Sequence, residues 1–119
     1  MEPTVEHRKH QRHHVNFPGV YLANSVQVKE AIVLDLSIGG CRVASTIPMS
    51  PDSAIQLQIR PQHVAPISIP SAIVRWASGY AFGVQFRDLS EHESSALTRL
   101  LWSLPASGRE SLSNPPSEI

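Results

Sequence analysis

Asp35-Leu36-Ser37-Ile38-Gly39-Gly40 joins two apolar runs, and the fold is decided at this junction. The run before it is Ala31–Leu34 and the run after it is Cys41–Ala44, and both have the composition of β-strands. Two glycines between such runs predict a tight reversal, because glycine reaches positive φ without steric cost. The carboxylate and the hydroxyl at the reversal form a notch rich in hydrogen-bond acceptors. Asp and Ser also occur in turns where they bond only to their own backbone.

Short β-like segments lie on both sides of this reversal. Val15–Asn24 is predicted to be an edge or bent strand, because Pro18 within it cannot donate to a central ladder. Val26–Leu36 is predicted to be a strand with a buried end. Proline residues then mark loops, and they punctuate the chain again before a further predicted strand at Ile73–Trp76. Alternation of apolar and polar residues predicts two more half-buried strands, one through Ile55, Leu57 and Ile59 and one through Tyr80, Phe82, Val84 and Phe86.

About six short strands separated by turn residues predict a small β-barrel or sandwich. One helix is predicted to follow them. Ser90 and Glu93 have the spacing of a capping box. Leucines at helical spacing then predict one apolar face, and Trp102 falls off that face as a partly covered surface aromatic or as a contact for a partner or for self-association. The leucines are Leu97, Leu100, Leu101 and Leu104, and Pro105 is predicted to end the helix.

Composition narrows the class of protein. The 119 residues suit one domain, and a formal net charge of +0 gives no global field that favours nucleic acid or an anionic membrane. Cys41 is the single cysteine, so it forms no intramolecular disulfide and is predicted to be a small buried hydrophobe. The sequence shows no signal peptide and no apolar stretch long enough to span a bilayer. A cytoplasmic location without membrane insertion is therefore expected.

The first fourteen residues are polar and rich in cations and histidines. Residues 1–5 are predicted to be disordered, and residues 6–14 are predicted to form a flexible arm. The histidines lack a recognised ligand spacing with carboxylates or cysteines, so no metal site is predicted. At the other end, residues 105–119 are rich in Ser and Pro, with one Gly, and are predicted to be a disordered tail.

Two short motifs in this order are more specific than either one alone. Arg8 and Arg12 stand four residues apart ahead of the first strand, and Asp35, Ser37 and Gly40 follow at a strand end. The planar fork of arginine binds phosphate oxygens, pairs with the O6/N7 edge of guanine and stacks on bases. Aspartate accepts hydrogen bonds from the N1–H and N2–H₂ edge of guanine, and serine and glycine permit close approach. Together the two motifs are complementary to a guanine nucleotide with phosphates.

Arg8-Lys9-His10-Gln11-Arg12 followed by Asp35–Gly40 resembles the paired signature of PilZ domains, which are receptors for the bacterial second messenger cyclic di-GMP. The resemblance covers residues 6–104, and Ala81–Phe86 is similar to the usual last strand of the family. It implies a mainly β fold, a six-stranded antiparallel β-barrel with a C-terminal α-helix. It also implies a PilZ-like domain over residues 6–104 that carries its ligand-binding arm at residues 6–14.

The resemblance assigns a role to each residue of the two motifs. Arg8 and Arg12 would clamp the phosphates and guanine faces of the ligand from the arm. Asp35 and Ser37 would hydrogen-bond a guanine edge, and Gly40 would keep the turn low beneath the base. Auxiliary contacts are expected from His7, Lys9 and Gly39. His7 stands where the family can influence how many ligand molecules bind, and one molecule and an intercalated pair both remain open.

Four further side chains have two possible roles at this stage. Arg42, Arg75 and Arg87 are predicted to be exposed strand positions, with an auxiliary phosphate contact as the alternative. Trp76 is predicted to belong to the core or the barrel rim, with base stacking as the alternative.

The function implied is that of a non-enzymatic receptor and adaptor with no cofactor besides its ligand. Cyclic di-GMP would order the arm over the barrel and alter the interaction with a separate, unidentified effector protein. The alternative is an adaptor for type IV pilus assembly or motility that binds no nucleotide, although such members usually lack the arginine pair. Ser37 has no identifiable histidine partner, so no catalytic residue is predicted. Neutral charge and few free aromatics also disfavour direct binding of nucleic acid.

Overall fold

Six antiparallel strands close into a barrel, and one helix follows them. The computed structural model describes residues 11–104. The order around the barrel is β1-β2-β3-β6-β5-β4. The predicted fold class is therefore confirmed. The elements are β1 (His13–Ala23), β2 (Val26–Leu36), β3 (Gly40–Ala44), β4 (Ala54–Ile59), β5 (Ile67–Ser78), β6 (Ala81–Phe86) and α1 (Glu91–Ser103).

The barrel interior is filled by the apolar half of each alternating strand. Ile55, Leu57 and Ile59 are all buried, as their alternation predicted. Tyr21 and Phe82 meet edge to face with ring centroids 5.4 Å apart, a favourable geometry for two aromatic rings. Tyr80 departs from the predicted row, because it lies in the turn before β6 and is exposed.

β1 is not an edge strand, and that part of the prediction is wrong. It pairs with β2 on one side and with β4 on the other, so closure of the barrel leaves it no free edge. Pro18 stays in register with Ile32 of β2, between two register shifts of the β1–β2 ladder. Its carbonyl still accepts a hydrogen bond from the Arg60 amide at 2.9 Å. This hydrogen bond connects Pro18 of β1 to Arg60, the residue that follows β4.

β5 begins at Ile67, earlier than the predicted strand at Ile73. Pro70, interpreted from the sequence as a break, lies within this strand. The register with β4 shifts between Ile69 and Ala72, and the proline stands in that interval. A bulge explains how a strand includes a residue without an amide donor.

The reversal after β2 forms where predicted, but not for the predicted reason. Among the glycines of residues 11–104, only Gly79 has a positive φ. Gly40 is required by space instead, because a Cβ placed there would lie 2.2 Å from the carbonyl oxygen of Val84. Gly40 pairs with Gln85 across the β3–β6 ladder. A side chain at Gly40 would therefore push these two strands apart.

The helix begins at the predicted capping box. The Glu93 amide donates to Ser90 Oγ at 3.1 Å, and the Ser90 amide donates to Glu93 Oε1 at 2.9 Å. Leu97 and Leu100 are buried, and Trp102 is 83% exposed, as its position off the apolar face predicted. With 13 residues, α1, the helix of the described region, is too short to cross a membrane.

Candidate ligand-binding site

One row of residues crosses five strands on the outside of the barrel. His14 of β1 pairs with Asp35 of β2, and Asp35 pairs with Arg42 of β3. Arg42 pairs with Gly83 of β6, and Gly83 pairs with Trp76 of β5. Directly opposed residues of antiparallel strands hold their Cβ atoms about 5 Å apart, so their side chains interact. The register therefore assembles one surface from five separate strands.

Two bulges place Asp35 and Trp76 in this row. Val33 is buried, and strict alternation would send Asp35 inward as well, but the register with β3 shifts between these two residues. Val74 is likewise buried, and the register with β6 shifts between Val74 and Trp76. Bulges redirect the side chains that follow them. As a result Arg75 and Trp76, although adjacent in sequence, are both exposed.

Asp35 is held by a neighbour on each side. Its Oδ1 lies 2.7 Å from Nδ1 of His14, and its Oδ2 lies 2.8 Å from Nε of Arg42. The Arg42 contact is an ion pair without the alignment of a hydrogen bond. A carboxylate offers about four lone-pair positions, so two contacts leave acceptor capacity on both oxygens. The side chain is only 11% exposed, and the exposed part faces the cleft described below.

Ser37 serves the turn in this structure. Its hydroxyl accepts from the Gly39 amide at 3.2 Å and is 3.3 Å from the Gly40 carbonyl oxygen, to which it donates. The Ser37 amide donates to the same carbonyl at 2.9 Å. The Gly39 carbonyl accepts from the Phe86 amide, which ties the turn to β6. Ser37 therefore bonds to the backbone of its own turn, which is the structural role that the sequence left open for it.

A cleft of about 550 Å³ runs along the row and over the reversal. This volume lies within the range of small-molecule sites, about 300–1,000 Å³. The predicted site residues in residues 11–104 all line it, and they are Arg12, Asp35, Ser37, Gly39 and Gly40. His7, Arg8 and Lys9 lie outside the described residues, as do the predicted segments 1–5 and 105–119. That these side chains bind a ligand stays a prediction.

A further part of the cleft lining comes from β5 and β6, and the sequence did not assign it to the site. Arg75 Nε donates to Gln85 Oε1 at 2.7 Å. The indole of Trp76 lies over Gly83, where an added Cβ would come within 2.2 Å of the indole nitrogen. His14 and Arg42 were not assigned to Asp35 either. For Arg42, Arg75 and Trp76 the sequence gave only alternative roles, with ligand contact as one of the two, because none of them belongs to a recognisable motif.

Cys41 also lines the cleft, and its thiol is unreactive. It is buried, as predicted, and that burial, aided by the negative charge of Asp35, raises the pKa of the thiol far above its ordinary value. A thiol that stays protonated is a poor nucleophile and a poor metal ligand. Within residues 11–104, no three His, Cys, Asp or Glu side chains are placed to hold a metal ion.

Comparison with known proteins identifies one family. The family model described as PilZ domain matches residues 6–102. The PilZ domain of CeSA from a cellulose-synthesizing bacterium superposes with a TM-score of 0.62 at 16% identity, over 77% of this chain and 95% of that chain. The Bacillus subtilis inhibitor of motility, MotI/DgrA, superposes with a TM-score of 0.64 at 15% identity, over 92% of this chain and 53% of that chain.

Both likenesses are below the identity at which more than a shared fold follows. This chain spans about half the length of the Bacillus subtilis protein. No curated protein matches the chain in sequence.

Proposed function

Because the chain belongs to the PilZ domain family, we propose that it binds cyclic di-GMP and acts as a receptor. PilZ domains are in general cyclic di-GMP receptors and adaptors that interact with effector proteins, and they are not enzymes. The observation that carries the proposal is geometric. Arg12, immediately before β1, and Asp35, near the end of β2, line the same cleft as Ser37 and Gly40.

The chemistry of the cleft suits a guanine base with phosphates. Asp35 keeps free lone pairs on both oxygens and accepts from the N1–H and N2–H₂ groups of guanine. Arg12 offers a fork of N–H donors to a phosphate. Gly40 lines the cleft without a side chain, so the base lies close to the backbone there. Ser37 adds its hydroxyl at the rim.

The arm completes the site in this proposal. Arg8 joins Arg12 on the ligand when the part of the arm that precedes β1, residues 6–12, closes over the cleft, and His7, Lys9 and Gly39 supply auxiliary contacts. Closure of the arm changes the surface beside the cleft, and a separate effector protein reads that change. The free energy of ordering the arm is drawn from the contacts with the ligand. The cytoplasmic location stays a prediction.

One observation supports a second candidate, an adaptor that binds no nucleotide. Asp35 already has His14 and Arg42 as partners, and the hydroxyl of Ser37 already bonds within its turn. The notch is thus stable without a ligand. The arginine pair weighs against this candidate, since a pure adaptor has no need of two phosphate-binding side chains four residues apart.

A calorimetric titration of the chain with cyclic di-GMP separates the two candidates. We expect saturable binding at one or two ligand molecules per chain. GTP, titrated in parallel, is expected to bind at least about tenfold more weakly, because it presents one base and no cyclic diester, and a tenfold change corresponds to about 1.4 kcal/mol. A titration with cyclic di-GMP that gives no binding heat favours the adaptor. Equal affinity for GTP contradicts recognition of the cyclic dinucleotide.

A further inference from the structure

We propose that His14 is a further residue of the ligand site and that it couples binding of the dinucleotide to uptake of a proton by its imidazole. This coupling rests on the proposed function and extends it to a residue that neither motif contains. Three features of the described residues carry it. They are the contact of the imidazole with Asp35, the exposure of the ring, and the fixed charges that surround both side chains.

The imidazole of His14 contacts the carboxylate of the site directly. His14 and Asp35 are cross-strand partners, and Nδ1 of the imidazole lies 2.7 Å from Oδ1 of the carboxylate. An ionised carboxylate only accepts hydrogen bonds, so Nδ1 carries the hydrogen in this contact. Nε2 is then the nitrogen that gains or loses the second proton. Imidazole is the side chain whose charge ordinarily changes between about pH 5 and pH 8, so the charge beside Asp35 depends on pH.

Solvent has access to this ring. The side chain of His14 is 76% exposed, whereas that of Asp35 is 11% exposed. An exposed imidazole gains its proton from water without the cost of desolvation that a buried one carries. The ring does not line the cleft itself. It therefore acts on the ligand through its charge and through the carboxylate that it contacts.

The other ionisable groups near this contact do not compete for the proton. Arg12 precedes β1 and Arg42 lies on β3, and a guanidinium keeps its charge throughout this range. Burial and the charge of Asp35 raise the pKa of the Cys41 thiol far above its ordinary value, so it stays neutral. Successive side chains of a strand point to opposite faces, so His13 faces away from the carboxylate. β4, the other neighbour of β1, contains no ionisable side chain.

The charge of the ligand gives the coupling its direction. Cyclic di-GMP carries two phosphodiester groups, each with one negative charge, and in the proposed site it lies beside the carboxylate of Asp35. A proton on the imidazole places a positive charge there and makes entry of the dianion more favourable. Coupling between two bound species is reciprocal, so the dinucleotide favours the protonated imidazole to the same extent. Affinity is therefore expected to rise as the pH falls.

The size of the effect follows from Coulomb's law. A unit charge that acts through water on a dianion roughly 9 Å away changes affinity roughly fivefold. We expect a gain of this order between about pH 8 and about pH 5.5, the range in which imidazole gains its charge. The gain is expected to shrink at high ionic strength, because salt screens charges at such distances.

Proton uptake is measured by titrating the chain with cyclic di-GMP at about pH 6.5, in two buffers of different ionisation enthalpy. The chain has six histidines, so matched variants are needed to identify the one that responds. We expect His14→Gln to take up fewer protons than the wild-type chain and to lose most of the gain at low pH. The control is His92→Gln, since His92 is exposed on α1 and outside the cleft lining, and it is expected to keep both.

His14→Lys tests the charge without a titrating ring. Lysine stays positive across this range, so the variant is expected to bind at about pH 8 roughly fivefold more tightly than the wild-type chain. The melting temperature of each variant reports whether the barrel is intact. Equal proton uptake by His14→Gln and the wild-type chain, or no gain at about pH 8 in a folded His14→Lys, overturns the coupling and leaves the receptor function standing. Absence of binding by the wild-type chain overturns both.

Discussion

Replacement of Arg12 by alanine is expected to abolish measurable binding of cyclic di-GMP while the barrel stays folded. Arg12 is exposed immediately before β1 and lines the cleft, so its side chain is not part of the core. A hydrogen bond to a charged group contributes about 1.5–3 kcal/mol. Loss of a two-bond phosphate contact therefore lowers affinity by about a hundredfold or more. Arg8→Ala is expected to behave in the same way, and calorimetry measures both.

Arg99→Ala is the matched control for this experiment. Arg99 is exposed on α1 and does not line the cleft, so the variant loses the same charge at a remote position. It is expected to bind with wild-type affinity. If Arg8→Ala and Arg12→Ala both bind as the wild-type chain does, the arm has no part in the site.

Asp35→Asn is expected to weaken binding by roughly 5- to 150-fold, the effect of losing one bidentate contact with a base. Asparagine preserves the shape of the side chain, so the barrel keeps its packing. It presents one acceptor and one NH₂ group to the two donors of the guanine edge, and donor then faces donor. Calorimetry again measures the loss, and the melting temperature reports whether the barrel is disturbed.

His14→Gln tests whether Asp35 contributes to affinity through contact with the base or through the orientation that His14 gives its carboxylate. It removes the 2.7 Å contact with Asp35 Oδ1 but keeps the carboxylate itself. His14 is exposed, so the substitution costs little stability. Near wild-type affinity in this variant, beside a loss in Asp35→Asn, assigns the effect to guanine recognition. An equal loss in both shows instead that the orientation of Asp35 is what matters.

Local chemistry allowed much of the fold to be predicted. The capping box of Ser90 and Glu93 and the limits of β2 depend on neighbouring residues, and both were confirmed. Errors arose where strands met distant partners. β1 was predicted to be an edge or bent strand because proline lacks an amide donor, but it pairs with β2 on one side and with β4 on the other. The start of β5 was missed for the same reason at Pro70.

In the site, too, the features that depend on local sequence were predicted and those that depend on pairing with distant strands were not. The two motifs were found from residue type and spacing, and Arg12 and Asp35 do border one cleft. The pairing of Asp35 with His14 and Arg42, and the outward face of Trp76, depend on register shifts in β2 and β5. A bulge of one residue reverses which face a side chain occupies, and alternation in the sequence does not show where it falls. Half of the cleft could therefore not be predicted from the sequence.

Backbone amide hydrogen exchange, with and without cyclic di-GMP, tests most directly whether the arm and the reversal hold the same ligand. Amides that become hydrogen-bonded or covered on binding exchange more slowly. We expect slower exchange in residues 6–12, ahead of β1, and in residues 35–42 together, with residues 45–54 at the far end of the barrel unchanged. Slower exchange in neither segment, or in residues 35–42 while residues 6–12 exchange at their original rate, would contradict a site built from both.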